Sequence, residues 1–240
     1  MIGCECDVCR STDPKDQRFR TSILVESGRG NVLLVDTAPD LRMQALRQRM
    51  RRLDAILYTH AHADHIAGLD DVRRFNAVMQ GPVPIYGDAR TLDEIRQRFS
   101  YIFDPDAPRG GGLPELRLWT MGGGAFCIDD LEVVPVPVLH GSRPVFGFRV
   151  GPFAYLTDCN AIPDASLPLL MGLEVLVLDA LRRKPHPTHF SLDQAVAMAG
   201  RIGATHTYFT HMAHDLGHAA TCAALPARMA LAYDGLTLEL

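Results

Sequence analysis

The stretch 58-YTHAHADHIAGL-69 places His60, His62, Asp64 and His65 within six positions of an otherwise apolar segment. It follows "LDAILYT", whose apolar, β-rich character reads as a buried strand ending at His60. One histidine in such a place is ordinary core packing. Four metal-capable side chains together are not, because each buried polar group needs a partner. The stretch therefore calls for further ligands elsewhere in the chain.

Working outward, strand-like runs alternate with amphipathic ones. "RTSILVES" and "NVLLVDT" read as a hairpin around "GRG", followed by a helix over "APDLRMQALRQRMRR" with Pro39 and Asp40 at its start. Helices are expected over "GLDDVRRFNAVM" and "ARTLDEIRQRFSYIF", with the strand "VPIYG" between them. Asp104–Gly124 carries two glycine triplets and reads as a mobile flap or lid. Strands "LEVVPVPVL", "FGFRV", "FAYLT" and "LEVLVLDAL" follow, then the helix "SLDQAVAMAGRIG" and the strand "HTYFT". These come in meander-like runs rather than strict βαβ alternation, which points to two sheets packed face to face with helices outside.

His60, His140, Asp158 and His211 each follow a predicted strand directly. Strand ends gather at one rim of a layered α/β protein, where loops held by a rigid scaffold form sites. His60, His62, Asp64, His65, His140, Asp158 and His211 supply five imidazoles and two carboxylates. One zinc-like ion takes about three protein ligands and an open position, so this set suits two ions, with one carboxylate bridging. Mixed imidazole and carboxylate ligation admits zinc, manganese or iron.

Composition narrows the class. The chain has 240 residues, 47% hydrophobic and 22% charged, with a net charge of −4. That is enough for one large α/β domain over 1–240, and it gives no basic surface for nucleic acid or anionic membrane. The first twenty residues are too charged for a signal peptide, and no apolar run approaches the roughly 20 residues of a membrane span. A cytoplasmic protein is expected. Of six cysteines, Cys4, Cys6 and Cys9 cluster, which in a cytosolic protein suggests metal binding; Cys127, Cys159 and Cys222 are scattered and read as buried small hydrophobes.

"THAHADH" matches the His-x-His-x-Asp-His signature of the metallo-β-lactamase-fold hydrolases, and His140, Asp158 and His211 follow in that family's order. The resemblance implies a four-layer αββα sandwich. It implies His60, His62 and His140 on one metal, Asp64, His65 and His211 on a second, and Asp158 bridging. "GCECDVC", with His214 three residues beyond His211, resembles the subgroup that includes the phosphoribosyl 1,2-cyclic phosphate phosphodiesterase of phosphonate breakdown. There a structural zinc would lie on Cys4, Cys6, Cys9 and His214. "VDTAPDLRMQAL" and "HPTHFSLDQA" extend the likeness over most of the chain. One departure stands out: members of the subgroup begin with a strand and a Gly-Thr-Ser loop before the cysteines, whereas here Met1 lies two residues before Gly3.

The resemblance implies phosphodiester hydrolysis by hydroxide held between two metals about 3.5–4 Å apart. Asp64 serves as ligand and catalytic carboxylate, and His189 in "HPTHFSL" as the acid that protonates the leaving alkoxide. The expected substrate is a small, cyclic phosphoribosyl or nucleotide-like ester, and the expected assembly is a homodimer. RNA 3′-end processing and thioester or lactone hydrolysis are the alternatives on the same fold. A non-enzymatic accessory role resembles the pyrroloquinoline-quinone biosynthesis member, whose ligand set is incomplete. Arg143 alone is weak evidence for a phosphate contact, and His186, His206 and His218 receive no role.

Overall fold

A computed structural model describes residues 1–107 and 112–240. The chain divides into two compact units, Arg20–Leu131 and Met1–Phe19 together with Glu132–Leu240.

The Arg20–Leu131 unit is built on strands β1 (Ile23–Glu26), β2 (Val32–Val35), β3 (Ala55–Leu57), β4 (Val83–Gly87) and β5 (Leu116–Thr120), in that order across one sheet. The β1/β2 hairpin is antiparallel, as its glycine turn predicts. From β2 to β5 every pairing is parallel. Parallel neighbours need crossovers, and the chain supplies α1 (Leu41–Arg47), α2 (Ala63–Ile66), α3 (Arg73–Met79), α4 (Ala89–Arg98) and α5 (Ser100–Phe103). Leu34, Ile56 and Ile85 of the sheet bury against Leu41, Leu69, Phe75, Leu92 and Ile95 of the helical layer. The expected long helices are shorter in fact. A 3-10 turn over Leu69–Val72 precedes α3, and Phe99 (φ −112°, ψ 39°) breaks the third predicted helix into α4 and α5.

The expected flap needs correction. Its residues 116–120 form β5, paired along its whole length with β4 from Val83↔Leu116 to Gly87↔Thr120. The glycine triplets drew attention away from "LRLWT", a strand with apolar Leu116 and Leu118 on one face. Residues 108–111 of that stretch lie outside the described residues.

The second sheet runs β12 (Met229–Leu231), β11 (His206–Thr210), β10 (Val175–Asp179), β9 (Phe153–Leu156), β8 (Arg143–Val150), β7 (Leu131–His140), β6 (Phe126–Ile128). β7, β8 and β9 form the antiparallel meander foreseen from sequence. β9 through β12 are parallel, so strict βαβ-like succession governs half of this sheet, contrary to expectation. Helix α6 (Leu192–Ile202) begins with a capping box between Ser191 and Gln194 and ends at Gly203 (φ 74°). Its Leu192, Ala195, Ala199 and Ile202 bury against Leu156, Leu176, Leu178 and Phe209. Helix α7 (His218–Ala224) leads to β12; neither was foreseen. Two sheets flanked by helices are thus present, as the resemblance implied. No helix among the described residues is long and apolar enough to cross a membrane.

Candidate metal centre

In the Arg20–Leu131 unit, β3 ends at Leu57 and the chain turns through His60 and His62 into the one-turn helix α2, which carries Asp64 and His65. The turn is seated by Gly68, whose N–H donates to the Thr37 carbonyl at 2.9 Å. A Cβ at Gly68 would fall 2.1 Å from the Ala38 carbonyl oxygen, so only glycine permits this approach. The rings of His60 and His62 are 4.4 Å apart and those of His60 and His65 4.3 Å.

Behind these rings lies Asp36, fully buried at the end of β2 and not foreseen as functional. Its Oδ1 accepts from the Thr59 N–H at 2.9 Å; its Oδ2 accepts from the Thr59 hydroxyl and from His65 Nδ1, both at 2.7 Å. Since the Thr59 hydroxyl donates to Asp36, it accepts from His60 Nδ1 at 3.0 Å. One carboxylate therefore fixes the tautomers of two imidazoles and leaves Nε2 of each as the atom that could take a metal. Burial pushes the Asp36 carboxyl up, opposed by the His65 imidazole. Asp36 is also left-handed (φ 63°), a conformation that non-glycine residues hold where the surroundings over-determine it. The signal was available in "VDT" at the end of a strand, as a charge inside an apolar run.

In the other unit, His140 closes β7, Asp158 follows β9 by two residues, and His211 follows β11 directly. Asp158 (φ 51°) and His211 (φ 59°) share the left-handed conformation of Asp36. His140 Nδ1 donates to the Thr188 carbonyl at 2.8 Å, again leaving Nε2 as the atom that could take a metal. His211 Nε2 lies 3.3 Å from Asp158 Oδ1.

His189 joins this group, buried and stacked on His211 with centroids 4.8 Å apart and planes 10° apart. One ligand atom from each of Asp158, His189 and His211 falls within 4.8 Å of the others. Behind them stands Asp179, the last residue of β10, fully buried and likewise missed. Its Oδ2 accepts from His189 Nδ1 at 3.1 Å and from the N–H groups of Phe190 (3.2 Å) and Cys159 (3.3 Å). Burial raises its pKa, opposed by His189 and His211.

The cysteine cluster lies within this same unit. Cys4, Cys6, Cys9 and His214 each offer one ligand atom within 4.8 Å of the others. Cys4 Sγ and Cys6 Sγ both sit 3.3 Å from His214 Nδ1. The Cys6 thiol is pulled down to about 6, first by a backbone hydrogen bond from Cys9 and then by the His214 imidazole. Half of its population is thiolate near that pH, the form that ligates metal. The segment is also held without the cysteines: Arg18 donates to the carbonyls of Ala213 (3.0 Å) and Leu216 (2.5 Å), and the His218 N–H donates to Asp16 (2.8 Å).

Of the scattered cysteines, Cys159 is buried as expected and Cys222 half-buried, but Cys127 is exposed, because β6 turns it to solvent. His206 is exposed, whereas His218 is buried with Nε2 donating to the Leu231 carbonyl at 3.2 Å. The donor sets fit divalent ions. Imidazoles with engaged Nδ1 atoms and buried carboxylates suit zinc or manganese, and thiols with one imidazole suit tetrahedral zinc.

Comparison with known proteins bears on these residues. Residues 31–212 match the beta-lactamase superfamily domain. The crystal structure of a new diphosphatase from the PhnP family superposes with a TM-score of 0.91 at 46% identity, covering 98% of this chain and 89% of that one. A ribonuclease Z of Mycobacterium marinum is 30% identical over 235 residues, 82% of this chain and 81% of that protein. An octanoyltransferase of Porphyromonas gingivalis is 37% identical over 238 residues, 98% of this chain. The chain spans only 48% of that protein's length.

Proposed function

The chain belongs to the beta-lactamase superfamily and is a metal-dependent hydrolase; from that premise we propose that it hydrolyses a small phosphodiester, of a cyclic phosphoribosyl or nucleotide-like kind. The observation that carries the reading is the paired arrangement of buried imidazoles whose Nδ1 atoms are engaged, backed by Asp36 in one unit and Asp179 in the other. Such backing orients imidazoles for metal and raises their basicity. His60, His62 and His140 would hold one ion, Asp64, His65 and His211 a second, with Asp158 shared between them. On this reading residues 1–240 would act as a single metallo-hydrolase domain. Divalent ions there supply Lewis acidity toward water and toward the phosphoryl oxygens. Cys4, Cys6, Cys9 and His214 would hold a structural zinc.

His189 supplies the proton for the leaving alkoxide. Its Nδ1 is anchored on Asp179, which orients the ring, and Nε2 is the atom that would release the proton. Similarity to the PhnP-family diphosphatase and to ribonuclease Z, both named for phosphoester chemistry, supports this class of substrate. RNA 3′-end processing is the second reading, favoured by the ribonuclease Z likeness. The net charge of −4 disfavours it, since nucleic-acid binding rests on basic surface.

The test is a hydrolysis panel on the metal-loaded protein: bis(p-nitrophenyl) phosphate, ribose 1,2-cyclic phosphate, a 2′,3′-cyclic nucleotide, a transfer-RNA precursor and a thioester. Turnover of the small phosphodiesters is expected. His189→Ala should keep its metal content and lose turnover by about 10²–10⁴-fold. Thioester turnover without phosphodiester turnover overturns the proposal.

A further inference from the structure

Trp119 is the only tryptophan in the chain, and it keeps 53% of its surface in solvent. Tryptophan is highly buried on average, so this exposure needs a reason. The ring is not splayed at random. It lies parallel to Tyr86, with centroids 6.4 Å apart and planes at 15°, and Tyr86 in turn stacks on Phe126 at 5.3 Å and 20°. Three rings form a ladder whose outermost rung is the exposed indole.

The register places this ladder relative to the proposed metal ligands of the same unit. Leu57 pairs with Tyr86, and Tyr86 pairs with Trp119, so the three residues form one row across β3, β4 and β5. Leu57 is the last residue of β3, three positions before His60. Neighbouring strands are about 4.8 Å apart, so Trp119 stands roughly 10 Å to the side of the strand that delivers His60 and His62. β5 is the edge strand of this sheet among the described residues. Two residues earlier, on the same face of β5 as Trp119, Arg117 is exposed, while the Asp129 carboxylate acts on the Tyr86 hydroxyl.

We propose that the Trp119–Tyr86–Phe126 ladder is a stacking platform for the nucleobase of the substrate. It takes a planar, phosphate-bearing ligand whose ester linkage reaches toward His60 and His62 while its base lies on the indole. Parallel rings favour a further flat ring rather than an aliphatic group. This rests on the phosphodiesterase reading and adds to it a lower KM for esters that carry a base than for those that do not.

The sole tryptophan is its own reporter. Its fluorescence, excited at the red edge of the indole band, is titrated with adenosine 5′-monophosphate and with ribose 5-phosphate. Saturable quenching by the first and none by the second is expected. In Trp119→Leu the KM for 2′,3′-cyclic AMP should rise on the order of tenfold with kcat little changed, and Trp119→Phe should retain most of the affinity. Turnover of ribose 1,2-cyclic phosphate should be the same in all three proteins. Indole emission indifferent to the nucleotide, or equal KM in parent and Trp119→Leu, overturns the platform. So does an indole shielded from acrylamide in a homodimer that Trp119→Leu dissociates. If the parent hydrolyses both cyclic esters without base dependence, the platform fails and the phosphodiesterase reading stands. If it hydrolyses neither, that reading itself fails.

Discussion

Asp36 and Asp179 occupy matching places in the two units, one just past the end of β2 and the other closing β10. Both are fully buried, both have carboxyls raised by burial, and both back imidazoles proposed for metal binding or proton transfer. They differ in how tightly they are used. Asp36 accepts three hydrogen bonds of 2.7–2.9 Å, from residues delivered by one short stretch, Thr59 to His65. Asp179 accepts three of 3.1–3.3 Å, one from Cys159 and two from the loop that brings His189 and Phe190 back to it. The first network is local and closed; the second assembles three distant segments and holds its histidine more loosely. A ligand set benefits from rigid orientation, and a proton donor from a ring whose charge can change.

Breaking the tighter network should have the largest effect. Asp36→Asn keeps the shape but replaces an acceptor with a donor facing the Thr59 hydroxyl or His65. Removing one partner of a buried charge-assisted network costs about 3–5 kcal/mol, read by urea unfolding of the metal-free protein. Metal affinity should fall about 10–100-fold in a chelator competition. Unchanged stability would mean that Asp36 is neutral and inert in the fold.

The cysteine cluster sharpens the contrast, because its unit has a second anchor for the same segment. Cys6→Ser should remove one metal per chain and with it the stabilisation that bound metal confers, about 2.7 kcal/mol at a hundredfold excess over Kd. The Arg18 bonds should keep residues 1–19 folded back, visible as persistent protection of the Arg18 region in hydrogen exchange. An unchanged metal-to-protein ratio would sink the structural-zinc reading.

Asp179→Asn should cost less than its counterpart, about 2 kcal/mol, since its bonds are longer. Its signature should lie in turnover: kcat should fall with KM and metal content little changed, because the amide no longer accepts from His189 Nδ1 and the ring loses its anchor. An unchanged kcat would separate the Asp179–His189 pair from proton transfer.

The smallest effect is on acid stability. Burial holds His218 below its usual pKa of 6.5. Above that pH both folded and unfolded states are neutral there. Below it the unfolded chain takes up a proton that the folded one refuses, so stability falls with falling pH by up to about 1.4 kcal/mol per unit. His218→Gln should flatten that slope in thermal melts between pH 7 and 5.

Much of this was legible before any coordinates. The ligand-dense stretch after a strand, the strand-end placement of His140, Asp158 and His211, and the Cys-x-Cys-x-x-Cys run are patterns of residue type and spacing. Those follow from local backbone periodicity. What escaped was of two kinds. β5 was hidden because glycine triplets flank it, and turn chemistry in the neighbours outweighed a five-residue strand signal. Asp36 and Asp179 were hidden because a single aspartate at a strand end looks like any loop acid. Only burial to zero exposure, with imidazoles in front, marks them.

The sequence by itself determined the chemistry available: which side chains could hold metal, that they cluster at strand ends, and that two sheets with helices would carry them. Periodicity and ligand spacing are one-dimensional properties, and they survive in a string of letters. The tertiary structure decided which nitrogen of His60, His65 and His140 is offered to a metal, which carboxylates stand behind the rings, and that the sole indole lies exposed at the end of an aromatic ladder. Those depend on residues from separate strands meeting at hydrogen-bond or stacking distance, and no local pattern encodes that meeting.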